Sequence, residues 1–200
     1  MQQPGRPREF DPDETLSKIM QLFWEHGYDA TGLSDIIAAT GLGKASLYSA
    51  FGNKQSMYLK ALAHYESLMV DAGVSILRAP DVAPLDRIAA FLSAPITAVQ
   101  NHSDRRGCFL CNASADRASL DSDTAALVRN GYDKMRRAIA HSLVQEFPDM
   151  PTAKINTQSE LVLTVYSGLR VMARSGMAVD MLSRARDAVM TTVSGNAKKV

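Results

Sequence analysis

The 200-residue sequence predicts an all-α protein, with about nine helices, on three observations. Apolar residues recur at three- and four-residue spacing along nearly every segment. No segment shows the sustained apolar–polar alternation of a half-buried strand. Glycines and prolines fall between the periodic stretches, where helices stop. With 46% hydrophobic residues the chain can bury a core, and 22% charged residues are a composition of folded, not disordered, chains.

The elements follow in order. Asp11-Pro12-Asp13-Glu14 supplies an N-cap, a proline at the first helical position and an acid at the third, a capping-box arrangement. Leu16, Ile19, Met20, Phe23 and Trp24 then form one stripe, and Gly27 stops the helix. A short second helix covers 34–40 and ends at Gly41. A third begins near Lys44 and runs to Phe51, before the break at Gly52-Asn53. A long helix is expected over 54–77, with Met57, Ala61, Leu62, Tyr65, Leu68, Met69, Ala72 and Ile76 facing inward. It is longer than a small domain needs and reads as a rod between two bodies. Pro80 and Pro84 bracket a turn. Leu85, Ile88, Phe91, Leu92, Ile96 and Val99 mark the next helix, which Pro95 must kink or end. After a polar loop at 101–106 comes GCFLCNAS, then helices over 123–147, 153–175 and 179–193, with breaks at Pro148, Pro151 and Gly176. Residues 195–200 read as a frayed end. The expected division is a flexible basic arm at 1–9, a head at 10–55 and a larger body at 56–195.

Composition excludes several classes. No apolar run approaches the roughly 20 residues that span a bilayer, and MQQPGRPREF lacks the apolar stretch of a secretory signal. The expectation is a cytoplasmic protein with no membrane partner. Two cysteines are too few for a disulfide scaffold. The net charge of +1 says nothing about nucleic acid. Charge placement says more: from Gly41 to Lys60 the chain carries Lys44, Lys54 and Lys60 and no acid. Phosphate contact depends on such local charge, not on a total.

The stretch from Gly32 to Lys54, GLSDIIAATGLGKASLYSAFGNK, places two short helices around a glycine turn, as a helix-turn-helix requires. In that motif the second helix enters the major groove. Ile36, Ile37, Leu42, Leu47 and Phe51 can pack against the first helix, leaving Lys44, Ser46, Tyr48 and Ser49 on other faces. Spacing alone is equally compatible with a tight helical hairpin inside a bundle.

The wider run HGYDATGLSDIIAATGLGKASLYSAFGNKQSMYLKAL resembles the DNA-binding domain of TetR-family repressors. The match lies in the Gly-Tyr-x-Ala-Thr entry, the Ile-Ile-Ala stretch, the Gly-Leu turn, Leu47-Tyr48, Phe51 and Lys54, over residues 10–62. Downstream the likeness is one of helix count and order, and GCFLCNAS is similar to the start of the sixth helix in one subgroup. The resemblance implies that Thr31 and the start of the second helix touch phosphate. It also implies that Lys44, Ala45, Ser46, Tyr48 and Ser49 face the groove, and that Tyr48 and Lys54 grip the backbone. Gly32, Gly43, Ser49 and Ala50 depart from commoner family residues and remove long base-reading side chains, so the operator sequence does not follow.

The resemblance further implies a ligand-responsive repressor, bound to double-stranded operator DNA as a homodimer through its last two helices. A small-molecule effector would enter the body and release the operator. Phe91, Phe109, Tyr132, Met135, Tyr166 and Met172 are the weak set for its pocket, and each also suits plain core. Gly-Arg-Pro-Arg in the arm, with Arg6 and Arg8, suits either a minor-groove hook or a solvated tail. Cys108 and Cys111 form a Cys-x-x-Cys with four readings: buried core, a redox or electrophile sensor, a metal site, or a thiol oxidoreductase. The last lacks a βαβ context, and the metal site lacks further ligands, so no cofactor, metal or enzymatic activity is expected.

Overall fold

The computed structural model describes residues 10–195, all of whose regular elements are helical. The arm with Arg6 and Arg8, and residues 196–200, lie outside the described residues. The helices are α1 (Pro12–His26), α2 (Leu33–Thr40), α3 (Lys44–Phe51), α4 (Lys54–Tyr65), α5 (Asp71–Leu77), α6 (Pro84–His102), α7 (Phe109–Asp116), α8 (Ser122–Glu146), α9 (Thr152–Arg174) and α10 (Val179–Gly195). A π turn at Glu66–Val70 joins α4 to α5, so nine separate helices result when those three segments count as one. The chain divides into two compact units, 1–64 and 65–200. The first unit thus takes in most of α4, beyond the boundary at residue 55 that the sequence suggested.

In the first unit, the Asp11 carboxylate accepts from the N–H groups of Asp13 (2.8 Å) and Glu14 (3.3 Å), which fixes the start of α1. Ile19, Met20, Phe23 and Trp24 face inward with Ile36, Leu47, Phe51 and Met57. Burying each aliphatic or aromatic chain of this size is worth about 1.5–3 kcal/mol. Phe23, Tyr28 and Tyr58 form an aromatic triad, with Tyr58 edge-on to both partners at 5.1 Å. Gly41 closes α2 at φ 72°, a left-handed geometry that costs glycine little and other residues more.

In the second unit, α6, α8, α9 and α10 pack around Ile88, Phe91, Leu92, Ile139, Val162 and Leu182, with α7 laid against α8. Gly131 permits that approach, since a Cβ there would stand 2.5 Å from a Leu110 methyl. Two expectations are corrected. Pro95 neither ends nor splits its helix, and α6 runs through it to His102. Beyond Tyr65 the inward stripe also moves by one residue. Leu68, Met69, Ala72 and Ile76 are exposed, while Val70 and Leu77 are buried. The π turn supplies the reason: its i→i+5 bonds take up an extra residue, so every later side chain is rotated out of the 3.6-residue phase. Lys134 of α8 holds this turn through Glu66 (3.5 Å) and Asp71.

Candidate nucleic-acid interface and a buried thiol cluster

The second helix of the motif, α3, turns Leu47 and Phe51 inward and presents Lys44, Ala45, Ser46, Tyr48 and Ser49 to solvent. Gly43 precedes it with no side-chain cap, so the first amides of α3 are left open. Lys44 stands at the first helical position, 5.7 Å from the Tyr48 ring centroid. Lys54 begins α4 in the same way, with its ammonium 4.5 Å above the Tyr28 ring. A cation at a helix N-terminus opposes the macrodipole. The helices α1 and α2 obey the dipole rule, with Asp13, Glu14 and Asp35 in their first turns, whereas α3 and α4 carry no acid there. Lys44 with the uncapped amides of α3 is a start suited to anions; at α4 the Asn53 side chain already accepts from the Ser56 N–H at 2.9 Å, and Lys54 supplies the charge.

Thr31 corrects an expectation. It is 0% exposed, and its hydroxyl donates to the Gly27 carbonyl at 2.7 Å. It therefore ties the α1–α2 turn, and its side chain is not available to phosphate. The start of α2 is also occupied, since the Asp35 carboxylate accepts from the Gly32 N–H at 2.7 Å. A shallow groove of the same unit is lined by Leu22, His26, Ala30, Asp35, Ala38 and Ala39, none of them a residue proposed for an effector.

The second unit holds a different kind of site. Gly107, at φ 77°, lets the chain enter α7 against α9; a Cβ there would stand 3.2 Å from the Arg170 carbonyl. Cys108 is the N-cap of α7 and Cys111 lies in its first turn, both buried and unbridged. Cys111 donates its S–H to Cys108, and the Tyr65 hydroxyl donates to the same sulfur. These hydrogen bonds, with the Arg170 charge, outweigh burial and pull the Cys108 thiol down to about 6. Donation to Cys108, followed by burial, pushes Cys111 up. The Tyr132 hydroxyl donates to the Cys111 sulfur at 3.3 Å, and the Ser167 carbonyl lies 4.0 Å away. The single S–H of Cys111 cannot serve both neighbours. The Cys108 sulfur is the stronger claimant, since donation to it is what most raises Cys111, whereas the Ser167 contact at 4.0 Å is at the outer limit for a sulfur donor.

Aromatic residues wall this cluster. Phe91 stacks on Tyr166 at 4.0 Å, and Phe109 meets Tyr65 edge-on at 5.7 Å. Arg170 Nε donates to the Tyr166 hydroxyl at 3.0 Å. Of the weak pocket set, Phe91, Phe109, Tyr132 and Tyr166 thus gather around the thiols. Met135 is buried on α8, but Met172 is 42% exposed and points elsewhere. Tyr65 and Arg170 escaped the sequence reading. The Tyr166–Arg170 spacing of one helical turn was the available signal, and nothing local pointed to Tyr65.

Comparison with known proteins now fits the geometry. Residues 16–61 match the family model described as bacterial regulatory proteins, tetR family. The HTH-type transcriptional repressor ComR of Escherichia coli K12 is 27% identical over 183 residues, covering 89% of this chain and 86% of ComR. Residues 16–61 are a TetR-family DNA-binding domain. The likeness of fold extends over most of the chain. The TetR-family regulator CifR, solved as a cysteine mutant with a 26-base-pair operator, superposes with TM-score 0.81 at 23% identity over 93% of this chain and 98% of CifR. Escherichia coli NemR, in its reduced form, gives 0.80 at 19% identity over 90% and 95%. The HTH-type transcriptional repressor BdcR of Escherichia coli K12 is 25% identical over 90% of this chain and 87% of its own length. Among the described residues, no helix is long and apolar enough to cross a membrane.

Proposed function

We propose that this TetR-family chain is a cytoplasmic transcriptional repressor that binds a palindromic operator as a homodimer and leaves it when a small molecule binds the body. The observation that carries the DNA reading is the pair of lysines opening α3 and α4 against their own helix dipoles. Such a placement is unfavourable by about 0.3–1 kcal/mol each in the free protein, and a phosphate at each helix start reverses the sign. Lys44, Ser46, Tyr48 and Ser49 are exposed for groove contact, and half-buried Lys54 would reach the backbone. Arg6 and Arg8 extend the same role into the minor groove. Pairing through α9 and α10 is supported by Val171 and Met172, exposed on α9, and would set two recognition helices about 34 Å apart, one turn of DNA. Repression ends when the effector binds one conformational state more tightly than the other. A mobility-shift titration against the DNA upstream of the coding sequence tests the reading. A discrete complex on a palindrome at moderate salt is expected; equal affinity for scrambled duplex overturns it.

A second reading concerns the signal. The thiol cluster favours Cys108 as the group that senses an electrophile or oxidant, because three donors or positive charges stabilise its thiolate. Two proteins of the same fold were solved as a cysteine mutant and in a reduced form. Under this reading, electrophile releases operator from the native protein and leaves Cys108→Ser bound. Equal release from both rejects the switch.

A further inference from the structure

Arg170 has a use that the thiol alone does not explain. It is half-buried, whereas Cys108, Tyr65 and Tyr166 are buried, so it forms the solvent-side member of the cluster. Among the described residues its one hydrogen bond is from Nε to the Tyr166 hydroxyl, and it pairs with no carboxylate. Asp104, which feels its charge, is held by the Arg106 fork at 2.9 and 2.8 Å. The Nη edge of this half-buried guanidinium has no acceptor among the described residues and faces solvent, open to an anion that enters from that side. The surroundings add positive charge. The segments 103–107 and 170–174 contain Arg105, Arg106, Arg170 and Arg174 against the single acid Asp104. Arg105 donates to the Ala173 carbonyl and Arg174 to the Arg106 carbonyl.

We propose that Arg170, Tyr166, Tyr65 and Cys108 form a site for a small soft electrophile that carries a carboxylate, of the α,β-unsaturated type. The carboxylate takes the Nη edge of Arg170, and the electrophilic carbon meets the Cys108 sulfur. The aromatic wall of Phe91, Tyr166 and Phe109 limits the ligand to a few carbons beyond that head group. The chemistry balances without a co-reactant. The Cys108 thiolate forms an S–C bond to the β-carbon, and the double-bond pair moves to the α-carbon. That carbon takes a proton from the Tyr65 hydroxyl, which recovers one from water. The sum is addition of S–H across the double bond. This inference rests on Cys108 being the reactive thiol of the second reading, and it adds the class of compound that the thiol selects.

The test uses a matched pair of alkylating probes, iodoacetate and iodoacetamide, which differ in charge but scarcely in size. Each displaces iodide as the S–C bond forms. Rates at Cys108 are followed by peptide mass spectrometry on the full chain, with Cys108→Ser as the blank and glutathione as the free-thiol reference. The ratio of the two rates cancels any change in thiolate fraction, because both probes attack the same sulfur. The native protein should favour iodoacetate over iodoacetamide by about tenfold or more relative to glutathione, the effect of one charge-assisted contact. Arg170→Gln should return the ratio to that of glutathione, and Arg170→Lys should keep part of it. Should Arg170→Gln fail to fold, Tyr166→Phe keeps the ring and removes the hydroxyl that accepts from Nε, and an intermediate ratio is expected. A native ratio equal to that of glutathione, or one unmoved in Arg170→Gln or Tyr166→Phe, overturns the proposal. Operator binding of the same unmodified samples separates the two claims. A normal operator complex with no selectivity overturns the carboxylate site alone; selectivity without any operator complex overturns the regulator reading and supports the site.

Discussion

The head keeps its polar chemistry outside its core, and the body keeps its own inside. In α3, Leu47 and Phe51 are buried while Lys44, Ser46, Tyr48 and Ser49 face solvent. In the body, Cys108, Tyr65 and Tyr166 are buried; Tyr65 donates to Cys108, and Tyr166 accepts from Arg170. The difference matches what each region would meet. A duplex is larger than the head and must be touched from outside, with charge that stays solvated until phosphate arrives. A small electrophile can be enclosed, and a thiolate shielded from water feels each neighbouring donor more strongly.

That contrast yields a graded set of predictions. The largest effect belongs to the head core. Leu47→Ala removes a fully buried side chain and should cost about 2–5 kcal/mol. Thermal unfolding should show the loss together with the loss of DNA binding, whereas the selectivity of Cys108 for the two alkylating probes survives. Next comes Gly107→Val. It forces a β-branched residue to φ 77° beside the Arg170 carbonyl, a strain of about 1–3 kcal/mol. Here the melting temperature falls and Cys108 reactivity changes, but operator affinity in the unmodified protein is kept. A smaller, purely functional effect is expected for Tyr48→Ala, which should weaken operator binding with unchanged melting, since the residue is exposed.

The smallest prediction concerns pH. The Tyr65 hydroxyl donates to the Cys108 sulfur and thereby favours the charged form. Alkylation of Cys108 should therefore reach half its maximal rate well below the ordinary thiol value of about 8.5. Tyr65→Phe removes one of the donors, so the midpoint should move up towards that value. Cys111 and Arg170 continue to hold the thiolate, so the move is partial. A midpoint unchanged in Tyr65→Phe, followed by mass spectrometry across the pH range, would show that the hydroxyl does not act on the sulfur.

Legibility followed the same division. The head was readable because a three-residue or four-residue period decides which side chains are buried, and the exposed set of α3 follows from that period alone. The bounds of α3 and of the long helical stretch from Lys54 to Leu77 were also read correctly, since glycines and prolines mark them. Two local features defeated the period. The π turn at Glu66–Val70 displaced the inward stripe from Met69 to Val70 and from Ile76 to Leu77. No residue type announces such a turn. The family resemblance implied that Thr31 touches phosphate, yet here the hydroxyl is consumed by the turn itself. The thiol cluster was only half visible. Cys108 and Cys111 are three positions apart in sequence, but Tyr65, Tyr132 and Arg170 come from three other helices, and their meeting is a product of packing.

The account turns most directly on the lysines that open α3 and α4. Fluorescence anisotropy of the native protein and Lys44→Ala on one labelled operator duplex, at a series of salt concentrations, measures how many phosphates each engages. The native protein should lose affinity steeply with salt, and Lys44→Ala should bind more weakly with a salt slope shallower by about 1. Identical affinity and slope in the two proteins would contradict the assignment of this face to DNA.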